Sequence, residues 1–194
     1  QLLKKSGRYN VILTRNSDKF LRLRDRVSIA RDASADIFIS LHADAIKKRN
    51  VRGASVYTLS EKASDAEAAA LATKENKADL IGGMQLDGES EEVTSILIDL
   101  VQRETMNLSA GFGNVVLPEL GKRVRTLRNG RRFAGFAVLK APDVPSVLVE
   151  MGYMSNGQDR EMLMSEERRY ALMQRVAQAI DDYFLHHTTC SRES

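Results

Sequence analysis

Residues 36–42 read DIFISLH. Asp36 to Leu41 is a compact apolar run of strand length, read as a buried strand with His42 at its carboxyl end. On its N-terminal side, Leu21, Leu23, Val27, Ile29 and Ala30 recur at helical spacing among arginines. That pattern predicts an amphipathic helix ending near Ser34. On the other side, Gly53–Leu59 (GASVYTL) is a second strand. Helix and strand therefore alternate, which predicts an α/β fold: a single domain with a mostly parallel twisted sheet flanked by helices.

Further out, Gln1 to Ser6 resembles the last turns of a helix, with Gly7 as its C-cap, and Tyr9 to Leu13 is strand-like. A start in mid-helix suggests a chain whose true beginning lies upstream. Toward the C-terminus, strands are predicted at Gly135–Lys140 and at Ser146–Met151 (SVLVEM), with Pro142 and Pro145 marking the turn between them. Glu150 stands near the carboxyl end of the last strand. Residues 159–185 are helical by periodicity, and the polar stretch 186–194 is expected to be a disordered tail. The domain is thus predicted over residues 1–185.

Composition narrows the class without selecting a function. Hydrophobic residues make up 43% and charged residues 28% of the 194, ordinary values for a globular domain. No apolar run approaches the length of a transmembrane segment, and the first residues lack signal-peptide shape. A signal for export, if the protein has one, would lie upstream of Gln1. The net charge of +3 suits an anionic partner but names none. The single cysteine, Cys190, excludes an internal disulfide and a cysteine-based zinc finger.

Open parallel sheets bind ligands beyond the carboxyl ends of their strands, where His42 and Glu150 both fall. An imidazole there can ligate a metal, and a carboxylate can take a proton from water. From position alone, His42 is as readily a hydrogen-bonded strand-end residue, and Glu150 can belong to a buried ion pair with an arginine. A catalytic zinc wants three protein ligands and an open position. The chain has three histidines, of which His186 and His187 fall in the predicted tail, and no HExxH motif.

Two long motifs extend this reading. Thr14–Asp44, TRNSDKFLRLRDRVSIARDASADIFISLHAD, and Phe136–Asn156, FAVLKAPDVPSVLVEMGYMSN, resemble the zinc-dependent N-acetylmuramoyl-L-alanine amidases of the type-3 family. The resemblance covers the chain apart from its polar tail. It implies that His42 is a Zn2+ ligand and Glu150 the catalytic carboxylate. The implied reaction is hydrolysis of the amide joining the muramic acid lactyl group to L-alanine of the peptidoglycan stem peptide. The family's other ligands, a histidine in a DPGHGG-like loop and a glutamate after it, have no counterpart in the 194 residues, and are expected upstream of Gln1. With His42 alone of that set, this chain is expected to bind zinc weakly and to be inactive by itself.

Residues 60–121 exceed what a simple strand-to-helix connection requires. Ser64 and Glu67 form a capping-box pattern opening an alanine-rich helix that should stop at Gly82–Gly83. After a linker at Met84–Glu89, a second helix is expected, kinked or ended at Pro118. The stretch resembles the regulatory insertion of Gram-negative septal amidases, where a helix occludes the zinc until a partner displaces it. Glu75, on the face shared by Ala68, Leu71, Ala72 and Ala78, is the preferred inhibitory ligand. A merely solvated Glu75 is the alternative, and Glu89, Glu91 and Glu92 are others with the same chemistry.

The resemblance thus implies a periplasmic enzyme of daughter-cell separation, autoinhibited and opened by a divisome-associated activator protein. The basic run Lys122, Arg123, Arg125, Arg128, Arg131 and Arg132 has little aromatic interleaving and no nucleic-acid motif. It is read as a solvated loop, with contact to anionic wall polymer or envelope surface as the secondary reading, and no nucleic-acid partner. Two rivals remain open: a non-catalytic peptidoglycan-binding module with an incomplete metal site, and another zinc peptidase on a related scaffold.

Overall fold

A computed structural model describes residues 1–81 and 96–190, with side chains described over 1–79 and 100–186. The elements in chain order are α1 (Leu2–Ser6), α2 (Leu23–Asp32), β1 (Phe38–His42), β2 (Ala54–Leu59), α3 (Ala66–Asn76), α4 (Ala78–Ile81), α5 (Ile96–Gly121), β3 (Thr126–Ala134), a 3-10 turn (Ala137–Leu139), β4 (Ser146–Glu150), α6 (Gly157–Met164) and α7 (Glu166–Cys190). Together they form a mixed α/β domain of the predicted class. Its sheet has the order β1-β4-β2-β3; β1 pairs with β4 and β2 with β3 in parallel, while β2 and β4 run antiparallel.

Alternation along the strands divides the core between the two faces of the sheet. Val147 and Val149 of β4, with Ala54 and Val56 of β2, pack against Phe112, Val116 and Leu120 of α5 and Leu172, Ala179 and Ile180 of α7. Leu148, Tyr57 and Phe38 face the other way, onto α2, α3 and the 3-10 turn. All five residues of β4 are buried, as its uninterrupted apolar run demands of an interior strand. β1, by contrast, lies at the sheet edge, and Leu41 is 46% exposed there. The strand expected to be buried is therefore an edge strand of the described sheet, with Phe38 buried and Leu41 exposed.

Other expectations also need correction. Tyr9–Leu13 is not a strand: Arg8 and Tyr9 are instead tied to Asp181 of α7 at 2.7 Å each. Nor is Gly135–Lys140, because the Asn76 side chain takes the backbone groups that a ladder would use, donating to the Gly135 carbonyl and accepting from the Ala137 N–H, both at 2.8 Å. The cap of α3 is Asp65, whose carboxylate accepts the N–H groups of Glu67 and Ala68. Pro118 lies inside the last turn of α5, which continues to Gly121.

The second half of 60–121 contributes to the core, with Phe112, Val116 and Leu120 fully buried. α7 continues past His186 to Cys190, where a disordered tail was expected, and residues 191–194 lie outside the described residues. So do Gly82, Gly83, the linker at Met84–Glu89, and Glu91 and Glu92. The basic run is not simply a solvated loop either. Arg128, Arg131 and Arg132 lie in β3, and Arg132 is 9% exposed.

Gly53 fixes how β2 enters the sheet. Its φ is +112°, and a Cβ there would stand 2.7 Å from the Arg125 carbonyl oxygen. Its N–H donates at 2.8 Å to Asp159 Oδ2, which also accepts the Tyr153 N–H at 3.0 Å. One buried carboxylate therefore staples the start of β2 to the exit from β4. Gly53→Ala is expected to destabilise the fold by about 1–3 kcal/mol, the usual cost of a side chain in so sparsely populated a backbone region. Urea unfolding reads this as a lower midpoint at unchanged slope, and an unchanged midpoint would contradict it.

Candidate metal centre

The register of β1 and β4 sets His42 directly beside Glu150, at the carboxyl ends of adjacent parallel strands. The pairing is carried past the strands by backbone hydrogen bonds. Met151 N–H donates to the His42 carbonyl at 3.0 Å, and Met154 N–H to the Asp44 carbonyl at 2.7 Å. The Ile46 N–H then donates to Ser155 Oγ at 3.2 Å. The segments carrying the two sequence motifs are thereby zipped together. In-register residues of parallel strands share a face, so both side chains emerge on the side covered by α3.

α3 brings the third group. Ala68, Leu71 and Ala72 are buried against the sheet. Small residues at these positions let the helix lie close, which carries Glu75 to the strand ends. The helix is held at both ends by polar contacts. Arg132 meets Asp65 at 3.0 Å and Glu67 at 3.1 Å in its first turn, and Asn76 clasps the chain after β3 at its last residue. Beyond it, Asp79 of α4 accepts the Leu23 N–H at 3.0 Å, at the start of α2.

At the centre, His42 Nδ1 stands 3.5 Å from Glu75 Oε2 and 3.6 Å from Asp44 Oδ2, while Nε2 lies 3.1 Å from Ser40 Oγ. One donor atom from each of His42, Asp44 and Glu75 falls within 4.8 Å of the others, a grouping able to hold a metal ion. The Lys74 ammonium contacts Asp44 Oδ1. Asp44 Oδ2 is buried without a hydrogen-bond partner. An imidazole and carboxylates are the ligand chemistry zinc accepts, and an unpartnered buried carboxylate oxygen fits a cation beside it.

Glu150 is fully buried. Its Oε1 accepts the Asp44 backbone N–H at 2.9 Å, and its Oε2 has no partner. Burial pushes its carboxyl up to about 8, aided by the negative charges of Asp44 and Glu75 and opposed by the backbone N–H groups of Asp44 and Gly152. The Glu75 carboxyl is raised too, by burial and by Asp44, against the pull of His42. Burial also works against the charge on Asp44, but the adjacent His42 imidazole and the hydrogen bond and charge of Lys74 prevail and hold it well below the usual carboxylate range. Neighbouring carboxyls in unlike protonation states are a common mark of a functional site.

Of the residues singled out from sequence, the fold brings His42, Glu150 and Glu75 together. His186 lies on α7, outside this cluster, and the side chain of His187 is not among those described. Asp44 was missed, although it closes the quoted motif two residues after His42. Its spacing carried the only signal, since alternation on an extended chain returns it to the side of His42. Lys74 had no signal apart from its place next to Glu75.

A family model described as N-acetylmuramoyl-L-alanine amidase matches residues 1–182. N-acetylmuramoyl-L-alanine amidase AmiC of Escherichia coli O6:H1 is 40% identical over 192 residues, which are 98% of this chain and 46% of that protein. AmiA of Escherichia coli K12 is 36% identical over 173 residues, 89% of this chain and 60% of its own length. The chain thus spans roughly half the length of these relatives. Among solved structures, the amidase AmiC2 of Nostoc punctiforme has a TM-score of 0.65 at 25% identity, covering 95% of this chain and 77% of that one. The CwlD amidase of Clostridioides difficile, in complex with the GerS lipoprotein, shares the fold with a TM-score of 0.65 at 19% identity, over 94% of this chain and 79% of that one. The chain belongs to the N-acetylmuramoyl-L-alanine amidase family.

Proposed function

We infer that this chain is part of the catalytic domain of a zinc-dependent peptidoglycan hydrolase that cleaves the amide bond between N-acetylmuramic acid and L-alanine of the stem peptide. It acts in the periplasm during daughter-cell separation and is held inactive by α3 until a divisome-associated protein displaces that helix. The observation that carries the reading is the in-register pair His42–Glu150 with Glu75 Oε2 facing the His42 Nδ1. Family membership and the amidase names of the relatives support the bond and substrate. Among the described residues no helix is long and apolar enough to cross a membrane.

When bound, zinc supplies a Lewis acid that polarises the scissile carbonyl. His42 would hold it, and Asp44 and Glu75 are the carboxylates within reach. Glu150 handles the proton. The Asp44 N–H fixes Oε1, which leaves Oε2 free to accept a proton from the attacking water and return it to the leaving amine. A carboxyl raised toward neutrality suits a group that must both take and give a proton. Glu75 reaches the imidazole from a helix anchored at both ends, which supports its reading as the inhibitory carboxylate.

Replacing Glu75 by alanine in the whole protein is therefore expected to raise activator-free release of stem peptides from purified peptidoglycan by about tenfold or more, as the competent population grows. Equal rates in the two proteins would remove Glu75 as the inhibitory group. Mass analysis of the products tests the bond itself: cleavage between two amino acids would exclude the amidase reading, and so would a zinc-loaded whole protein, freed of inhibition, that binds wall fragments without releasing peptides.

Glu150 also makes a prediction for the metal-free chain. Its folded-state value of about 8 lies above the ordinary 4.5. The folded chain keeps a proton that the unfolded chain has already lost in that window. The associated stability is therefore fully present below the lower value and is lost as pH rises through the higher one, with a limiting slope of about 1.4 kcal/mol per pH unit. Glu150→Gln should flatten that decline. Urea midpoints for both proteins in chelator, across the same window, check it, and parallel declines would contradict it.

A further inference from the structure

The strongest unassigned feature lies at the other end of α3. β2 and β3 are in register at Ala54–Thr126 and again at Val56–Arg131, so a two-residue step in β2 faces a five-residue step in β3. The extra residues bulge out of the ladder, a device that re-aims side chains and recurs beside functional sites. The bulge walls a cleft of about 330 Å³ whose lining includes Arg52, Arg125, Arg128 and Arg132, with Glu67 as its acidic residue.

The arginines are not equivalent. Arg132 is 9% exposed and committed, with Nη1 donating to Tyr57 Oη at 3.2 Å and Nη2 to Glu67 at 3.1 Å. Arg52 Nε approaches Asp159 Oδ1 only at 3.8 Å and has no hydrogen-bond partner. Arg125 and Arg128 are exposed, and neither forms an ion pair among the described residues. Lys48 at 2.7 Å already shares the charge of Glu67 with Arg132. The cleft therefore carries an excess of guanidinium over carboxylate, and its walls are fixed by the Gly53–Asp159 staple and the buried Arg132. Guanidinium groups pair with carboxylates and phosphates through two parallel hydrogen bonds, so such a site suits an oxyanion-bearing ligand.

Its placement indicates which one. Glu67 and Glu75 stand on the same helix, eight positions apart, a rise of about 12 Å. An extended peptide covers that distance in about four residues. Resting on the amidase reading for the identity of the substrate, we propose that this arginine cleft is a binding site for the free carboxylates of the stem peptide, holding its distal end while the amide next to the sugar lies at His42 and Glu150. In the closed chain Glu67 occupies part of the same charge, so peptide carboxylates and the first turn of α3 compete for Arg132.

The test is a binding titration of the ¹⁵N-labelled chain, read at its arginine side-chain resonances at constant ionic strength. The probes are a synthetic wall stem tetrapeptide, the same peptide with its carboxylates amidated, and inorganic phosphate. The free-carboxylate peptide should shift the arginine signals, and amidation should weaken binding by about tenfold or more. The double variant Arg125→Gln/Arg128→Gln alters exposed side chains only. It should lose affinity by a similar factor with an unchanged melting curve. Equal binding of the amidated peptide, equal binding by the variant, or phosphate binding as tightly as the peptide would each overturn the proposal. The readout needs neither metal nor turnover. A peptide bound here but never cleaved by the zinc-loaded whole protein overturns the amidase reading alone, and cleavage with unaltered binding by the variant overturns the cleft alone.

Discussion

The in-register parallel pairing of β1 with β4 is the constraint on which the rest depends. Parallel strands cannot be joined by a tight turn, so the chain between His42 and Ser146 must leave the sheet and return. That excursion contains β2, α3, α5 and β3. Both α3 above the site and α5 beneath the sheet are thus built by the connection that the pairing requires, while α2 and α7 are added from outside it. The same register puts an imidazole and a carboxylate side by side at the strand ends. A slip of one residue would send one of them to the opposite face, among the valines packed on α5 and α7.

Glu150 illustrates what the site asks of the fold. A fully buried carboxyl with one unpartnered oxygen is unfavourable unless neutral or used, and burial raises its affinity for a proton accordingly. The core around it is assembled from close-packed aliphatic residues, with Val149 before it and Leu148 beneath α3. Stability gained across the sheet offsets a locally unfavourable group, the usual arrangement where a side chain is kept for chemistry.

α3 has a different balance. Its buried face is mainly alanine with one leucine, which contributes little apolar area, and its position is secured by ionic and amide contacts at its two ends. A helix held this way gives up little apolar contact when detached, and the main cost is the buried Arg132 left without Asp65 and Glu67. α5 stands apart, with Phe112, Val116 and Leu120 buried between sheet and α7. A displacement confined to α3 would leave that core intact.

By itself, the sequence determined the local facts. Apolar runs at 36–42 and 146–151 marked the strands that matter, helical periodicity marked α2, α5 and α7, and the two motifs marked His42 and Glu150. These are properties of neighbours along the chain, and short-range patterning suffices for them. Only the tertiary structure decided that the two strands pair in register, that Asp44 turns back to His42 and donates its N–H to Glu150, and that Gly135–Leu139 forgoes a strand because Asn76 satisfies its backbone. It also decided which charges in a uniformly basic run are buried and which are free. The physical reason is common to all of them: register, burial and ion pairing depend on groups far apart in sequence, whose proximity arises only when the sheet closes around them.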